Sequence, residues 1–155
     1  MILYHGSNVF IDEIDLRISK PCKDFGKGFY LSAEEAQANE MARFKSMQLG
    51  GEPCVTKFSF DEKMLKDDSL CIRIFEDYLE EWADFVLENR EGTTKEQYDI
   101  VYGPIADDKI GIQIRKLKDG SIDKAEFMNR LKYMKGITFQ FFFGSEAAVR
   151  FLEKI

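Results

Sequence analysis

One histidine, one tryptophan, three prolines and three cysteines are all that 155 residues contain of those types. Each scarcity excludes something. Cys22, Cys54 and Cys71 are odd in number, lie far apart and form no CxxC, so neither a disulfide framework nor a structural zinc site is expected. They read as small, half-buried residues of a reducing compartment. No apolar run approaches the length of a membrane span. The opening MILYHGS has neither the basic region nor the apolar stretch of a secretory signal. A cytoplasmic protein without a membrane partner is therefore expected. Lys and Arg number 22 against 28 Asp and Glu, for a formal net charge of -6. A general nucleic-acid binder needs a basic face for phosphate neutralisation, so the charge argues against that class. It leaves room for a local basic mouth around an anionic dinucleotide. Neither GxGxxG nor GxxxxGK(S/T) occurs, which removes the doubly wound dinucleotide fold and the P-loop. No repeat, low-complexity tract or Pro/Gly/Ser linker divides the chain, and residues 1–155 read as a single domain.

What is abundant is aromatic: 14 Phe in a chain that is 45% hydrophobic, which rules out disorder. Short β-rich runs occur at Ile2–His5, Gly28–Leu31, Cys54–Phe60, Tyr98–Ile105 and Ile137–Phe143. Between them, Ser32-Ala-Glu-Glu35 has the form of a capping box opening a helix towards Leu49. A second helix is predicted over about Glu76–Asn89, with Tyr78, Leu79, Trp82, Phe85 and Val86 on one face. A third covers about Asp123–Tyr133 and a fourth about Ser145–Lys154. Strands and helices mix without βαβ alternation, so the fold class is α+β with mostly antiparallel pairing. The stretch Asp119–Phe127 imitates half of a calcium loop. Its first two ligand positions would be Arg115 and Leu117, which cannot coordinate calcium, and it reads as a turn before a helix.

Two segments concentrate chemistry. Tyr4-His5-Gly6-Ser7 is a strand running into a polar, flexible triplet. Asp24-Phe25-Gly26-Lys27-Gly28-Phe29-Tyr30 sets a lysine between two glycines ahead of an aromatic strand, presenting a cation on a pliable loop. Taken separately, the histidine reads as structural, the glycines as turn-formers and Tyr30 as core.

Together, His-Gly-Ser followed by Phe-Gly-Lys-Gly-Phe-Tyr resembles the catalytic signature of the poly(ADP-ribose) polymerases and the diphtheria-toxin-type transferases. The whole chain resembles a bacterial family of small stand-alone domains of unknown function placed in that superfamily, through YHGS, DFGKGFYLS, WADFVLENR, YDIVYGPIADD and FQFFFGSEAAVRFL. The resemblance implies an ADP-ribosyltransferase fold, two mostly antiparallel sheets forming an NAD cleft with flanking helices. It implies that His5 bonds a ribose hydroxyl, that Gly6 and Ser7 hold the nicotinamide carboxamide, and that Tyr30 stacks on the nicotinamide ring. Gly26, Lys27 and Gly28 fall in the NAD-binding segment, and Arg90 becomes a contact to the diphosphate or the target, with Arg43 a weaker candidate. The other reading of Arg90 is a cation suited to the last turn of a helix. Physical chemistry agrees with the first roles. An electron-rich ring over a planar cation contributes about 1–2 kcal/mol. A carboxamide carries a donor and an acceptor that one hydroxyl and one backbone unit satisfy.

Gln140 takes the third position of the resembling motif, where active transferases usually carry glutamate. Cleavage of the nicotinamide–ribose bond passes through an oxocarbenium-like state that a carboxylate stabilises. At an effective dielectric of ~20 and ~4 Å, a full charge is worth roughly 4 kcal/mol, about a thousandfold in rate. Glutamine has no such charge. Three outcomes stay open: a slow enzyme, another carboxylate entering the site, or a binding module without turnover. Asp107 or Asp108, on a loop after the Gly103-Pro104 turn, are the candidate substitutes, although both also read as solvated loop acids. The leading expectation is a mono-ADP-ribosyltransferase that uses NAD as substrate, modifies a macromolecule (protein rather than nucleic acid), and pairs with a small antitoxin-like protein covering the cleft. The alternatives are a silent NAD or ADP-ribose binder and an NAD glycohydrolase.

Overall fold

Strand β1 carries the predicted Ile2–His5 run two residues further, to Ser7, in the computed structural model, which describes residues 1–155. It pairs antiparallel with β3 (Cys54–Phe60), setting His5 opposite Thr56. Alternation explains β3: Thr56, Phe58 and Phe60 are buried at period two. Strand β7 (Leu152–Lys154) completes this three-stranded sheet on the other edge of β3. The second sheet has four strands in the order β2 (Phe29–Leu31), β6 (Phe139–Phe143), β5 (Ile100–Pro104) and β4 (Ile72–Ile74). Only β4 and β5 run parallel.

The helices are α1 (Glu35–Leu49), α2 (Glu80–Glu91), α3 (Asp108–Lys118), α4 (Lys124–Lys132) and the short α5 (Glu146–Val149). The class is α+β with mostly antiparallel pairing, in agreement with the sequence. Strand β6 explains the run of phenylalanines. Phe141 and Phe143 face Leu3, Phe58 and Phe60 in a core between the sheets. Phe142 faces the opposite way, into a core built with Trp82, Val86, Ile110, Ile114 and Phe127 from the helices. A strand buried on both faces reads as nearly continuous apolar sequence.

Several boundaries differ from expectation. The predicted last helix stops at Val149, because Leu152–Lys154 pairs with β3 instead. Ser32 does not cap α1. Its hydroxyl accepts from the Glu34 amide and bonds Gln37, while Glu34 occupies the cap position without a side-chain bond. The second helix begins at Glu80, so Tyr78 and Leu79 precede it, and Leu79 is exposed. Cys22 and Cys71 are exposed rather than half-buried. No helix is long and apolar enough to cross a membrane.

Candidate functional site

One backbone bridge joins the two sheets. The Tyr4 amide donates to the Ser32 carbonyl at 2.8 Å and the Ser32 amide to the Tyr4 carbonyl at 2.9 Å, an isolated antiparallel bridge between β1 and β2. Antiparallel continuation would next oppose Gly6 to Tyr30. That pair does not form. The Tyr30 carbonyl takes the His5 ring nitrogen Nδ1 at 2.7 Å, and the Gly6 carbonyl takes Lys45 Nζ at 2.8 Å. Backbone polar groups of residues i and i+2 in a strand point the same way, so the Gly6 and Tyr30 amides face the parting of the strands. His5, Gly6 and Tyr30 are thereby brought to one place, and Lys45 joins them without any signal in the sequence motifs.

His5 stacks on Phe29 with ring centroids 4.3 Å apart. A carbonyl can only accept, so Nδ1 carries the proton. Burial, with the Lys45 charge second, lowers the His5 pKa to about 4, against the opposing effect of the Tyr30 carbonyl bond. The ring is therefore neutral at pH 7 and Nε2 offers a lone pair. Lys45 is itself pulled below its ordinary value, first by burial and then by the charges of Lys23 and Lys20. Three lysines from α1 and the loop before β2 thus give the acidic chain a local positive region beside His5. Ser7 is buried on the same face of β1 as His5, and its hydroxyl accepts weakly from the Val9 amide at 3.4 Å.

The two DFGKG glycines are explained by packing. Gly26 has φ +101°. A Cβ on Gly28 would meet Phe142 Cε2 at 2.3 Å. Lys27 between them is exposed. Gly6 is likewise required by α1, because a Cβ there would fall 2.0 Å from the Ala38 carbonyl oxygen. Its freedom from a side chain serves helix packing, a different reason from the ligand approach that the motif suggests. The Tyr30 hydroxyl donates to the Gly26 carbonyl at 2.7 Å and accepts from the Phe25 amide at 3.0 Å. Burial pushes its phenol well above the ordinary tyrosine value. Its ring leans on Phe142 at 5.1 Å.

Gln140 lies two residues before Phe142 on the face of β6 that Tyr30 shares across the ladder. Its Nε2 donates to Asp24 Oδ2 at 3.4 Å. Asp24, the first residue of DFGKG, also accepts from Arg90 Nε at 2.7 Å and from the Ala106 amide at 3.2 Å. Arg90 is bound to a carboxylate and, more loosely, to the Ala106 carbonyl at 3.4 Å. Asp107 and Asp108 are not on a free loop. Asp107 caps α3 by accepting from the Ile110 amide at 3.0 Å, and Asp108 sits in the first helical turn. Both are exposed and line a depression of about 280 Å³ with Arg90, Gly111 and Arg115. The carboxylate that actually touches Gln140 is Asp24. Its signal in the sequence was an acid directly ahead of the glycine loop. Arg43 on α1 is exposed.

Residues 1–153 match the protein family of unknown function DUF3990. The chain belongs to the DUF3990 family. No curated protein and no solved structure matches it. The family match spans both motif segments and Gln140, so the cluster described above belongs to this DUF3990 domain as a whole.

Proposed function

We propose that this DUF3990 domain is an NAD-dependent mono-ADP-ribosyltransferase with the ADP-ribosyltransferase fold, its cleft opening where β1 and β2 part. One observation carries the reading. After the single Tyr4–Ser32 bridge, the positions due to pair next are diverted, with the Tyr30 carbonyl on His5 and the Gly6 carbonyl on Lys45. The amides turned towards the parting suit a carboxamide oxygen, and the Ser7 hydroxyl suits its NH2. Neutral His5 offers Nε2 to a ribose hydroxyl. The half-buried Tyr30 ring suits the nicotinamide cation. The lysine region beside His5 suits a diphosphate.

In the transfer, the bond between ribose C1′ and the nicotinamide nitrogen breaks, and the electron pair leaves with nicotinamide. An acceptor nucleophile then bonds C1′ and gives up its proton to base. The negative net charge favours a protein acceptor over nucleic acid. A small antitoxin-like partner would block turnover by covering the cleft. Three free thiols are compatible with a cytoplasmic setting.

Gln140 favours a second reading, a binding module without turnover, because its amide adds no charge to the site. Titration calorimetry with NAD separates binding from its absence. The expected result is saturable NAD binding lost in Tyr30→Ala, with circular dichroism showing that the variant is folded. Absence of NAD binding by the wild type would refute both readings.

A further inference from the structure

Gln140 reaches, at 3.4 Å, a group that cannot reverse its role. A carboxylate only accepts, so the nitrogen of the Gln140 amide must face Asp24 whichever way the amide is turned elsewhere. The observed bond, Nε2 to Oδ2 at 3.4 Å, has that polarity. Asp24 is itself fixed. Arg90 Nε holds Oδ1 at 2.7 Å, the Ala106 amide holds Oδ2 at 3.2 Å, and the side chain is only 14% exposed. With Nε2 turned to Asp24, Oε1 points away from it as an acceptor on the sheet face shared with Tyr30.

The geometry points to Asp24 as a positioning residue for Gln140: it fixes the amide so that Oε1 is the atom presented to a ligand hydroxyl. The negative charge that Gln140 meets therefore resides at position 24, compensated by Arg90, and a glutamate at position 140 would set two carboxylates against each other. Glutamine at position 140 and aspartate at position 24 form one matched donor–acceptor unit. The identity of the ligand, a ribose, rests on the NAD reading above. The pairing does not.

Thermal unfolding of four proteins, wild type, Asp24→Asn, Gln140→Glu and the double variant, tests the pairing without any ligand. With Asp24 intact, Gln140→Glu is expected to lower Tm by about 5 °C, because like charges meet. Made on top of Asp24→Asn, the same change is expected to leave Tm unchanged or raise it, because an amide at position 24 can donate to a carboxylate at position 140. Equal falls in both backgrounds would overturn the pairing. If either protein carrying Asp24→Asn fails to fold, the wild type decides the matter by NMR. One of the two Gln140 side-chain amide protons is expected to be displaced from its ordinary glutamine shift and to exchange slowly with water, and a pair at the ordinary shifts that exchanges freely would overturn the proposal. The positioning role has its own readout. Asp24→Asn is expected to raise the Kd for NAD about tenfold, with the double variant recovering most of that loss. No recovery despite coupled stabilities would confine Asp24 to a structural role and refute positioning. Coupled stabilities in a protein that never binds NAD would uphold the pairing while the NAD reading fails.

Discussion

Lowering the pH should destabilise this protein through its only histidine. In the folded chain the His5 pKa is held at about 4, mainly by burial, against 6.5 for the free side chain. The unfolded chain therefore binds a proton below pH 6.5 that the folded chain refuses until about pH 4. The associated stability is fully present above 6.5 and drains away as the pH falls through that window. At 1.36 kcal/mol per pKa unit the whole loss is about 3 kcal/mol, which for a domain of this size is about 6–12 °C in Tm. Carboxylates also titrate near the bottom of the range, so the quantity to plot is the wild-type Tm minus that of His5→Asn at each pH. The difference should decline from pH 6.5 to 4 and then level off. With one histidine in the chain, a long-range proton–nitrogen NMR spectrum reports His5 without ambiguity. The proton should lie on Nδ1 and the midpoint near 4. A midpoint near 6.5 would refute the burial of the ring, and a proton on Nε2 would refute its bond to the Tyr30 carbonyl.

Three further perturbations have definite outcomes. Gly6→Ala forces a Cβ to within 2.0 Å of the Ala38 carbonyl, against backbone that cannot swing aside, and is expected to cost about 3 kcal/mol by urea unfolding. An unaffected midpoint would mean that α1 does not lie against β1 as described. Lys45→Met removes a positive charge that lowers the His5 pKa, so the His5 NMR midpoint should move upwards, and NAD affinity should fall and lose part of its salt dependence. Asp107→Ala removes the cap of α3 and is expected to lower Tm by about 2–4 °C while leaving the Kd for NAD unchanged. A weakened Kd without a change in Tm would return Asp107 to the site.

Much of this arrangement was legible from residue order, and the failures have identifiable physical causes. The alternation in Cys54–Phe60 located β3 at its observed bounds, because one face of that strand is buried. Asp123 announced α4 as its cap, accepting from the Glu126 amide. Helix α3 was missed although its signals are present: Asp107 caps it, and Ile110 and Ile114 are buried one turn apart. The turn expected at Gly103-Pro104 made a loop of the two aspartates, but both residues are the end of β5, paired with Gln140 and Phe139. Strand β4 was invisible, since three residues are too few to display a period. The chain end misled for a tertiary reason, as α5 yields to β7 only because β3 offers an unpaired edge. Within the site, His5, Tyr30 and Gln140 stood out by motif. Lys45 and Asp24 did not, because what they bond, the Gly6 carbonyl and the Gln140 amide, lies 39 and 116 residues away.

A transferase cleft where β1 and β2 part would reveal itself in label transfer from NAD carrying its label on the adenylate phosphate. Purified protein would be incubated with bacterial lysate beside Tyr30→Ala, with nicotinamide release measured in parallel. Labelled protein that disappears in the variant, together with stoichiometric nicotinamide, is expected. No label and no nicotinamide from a wild-type protein that binds NAD would contradict a transferase cleft and leave a binding module in its place.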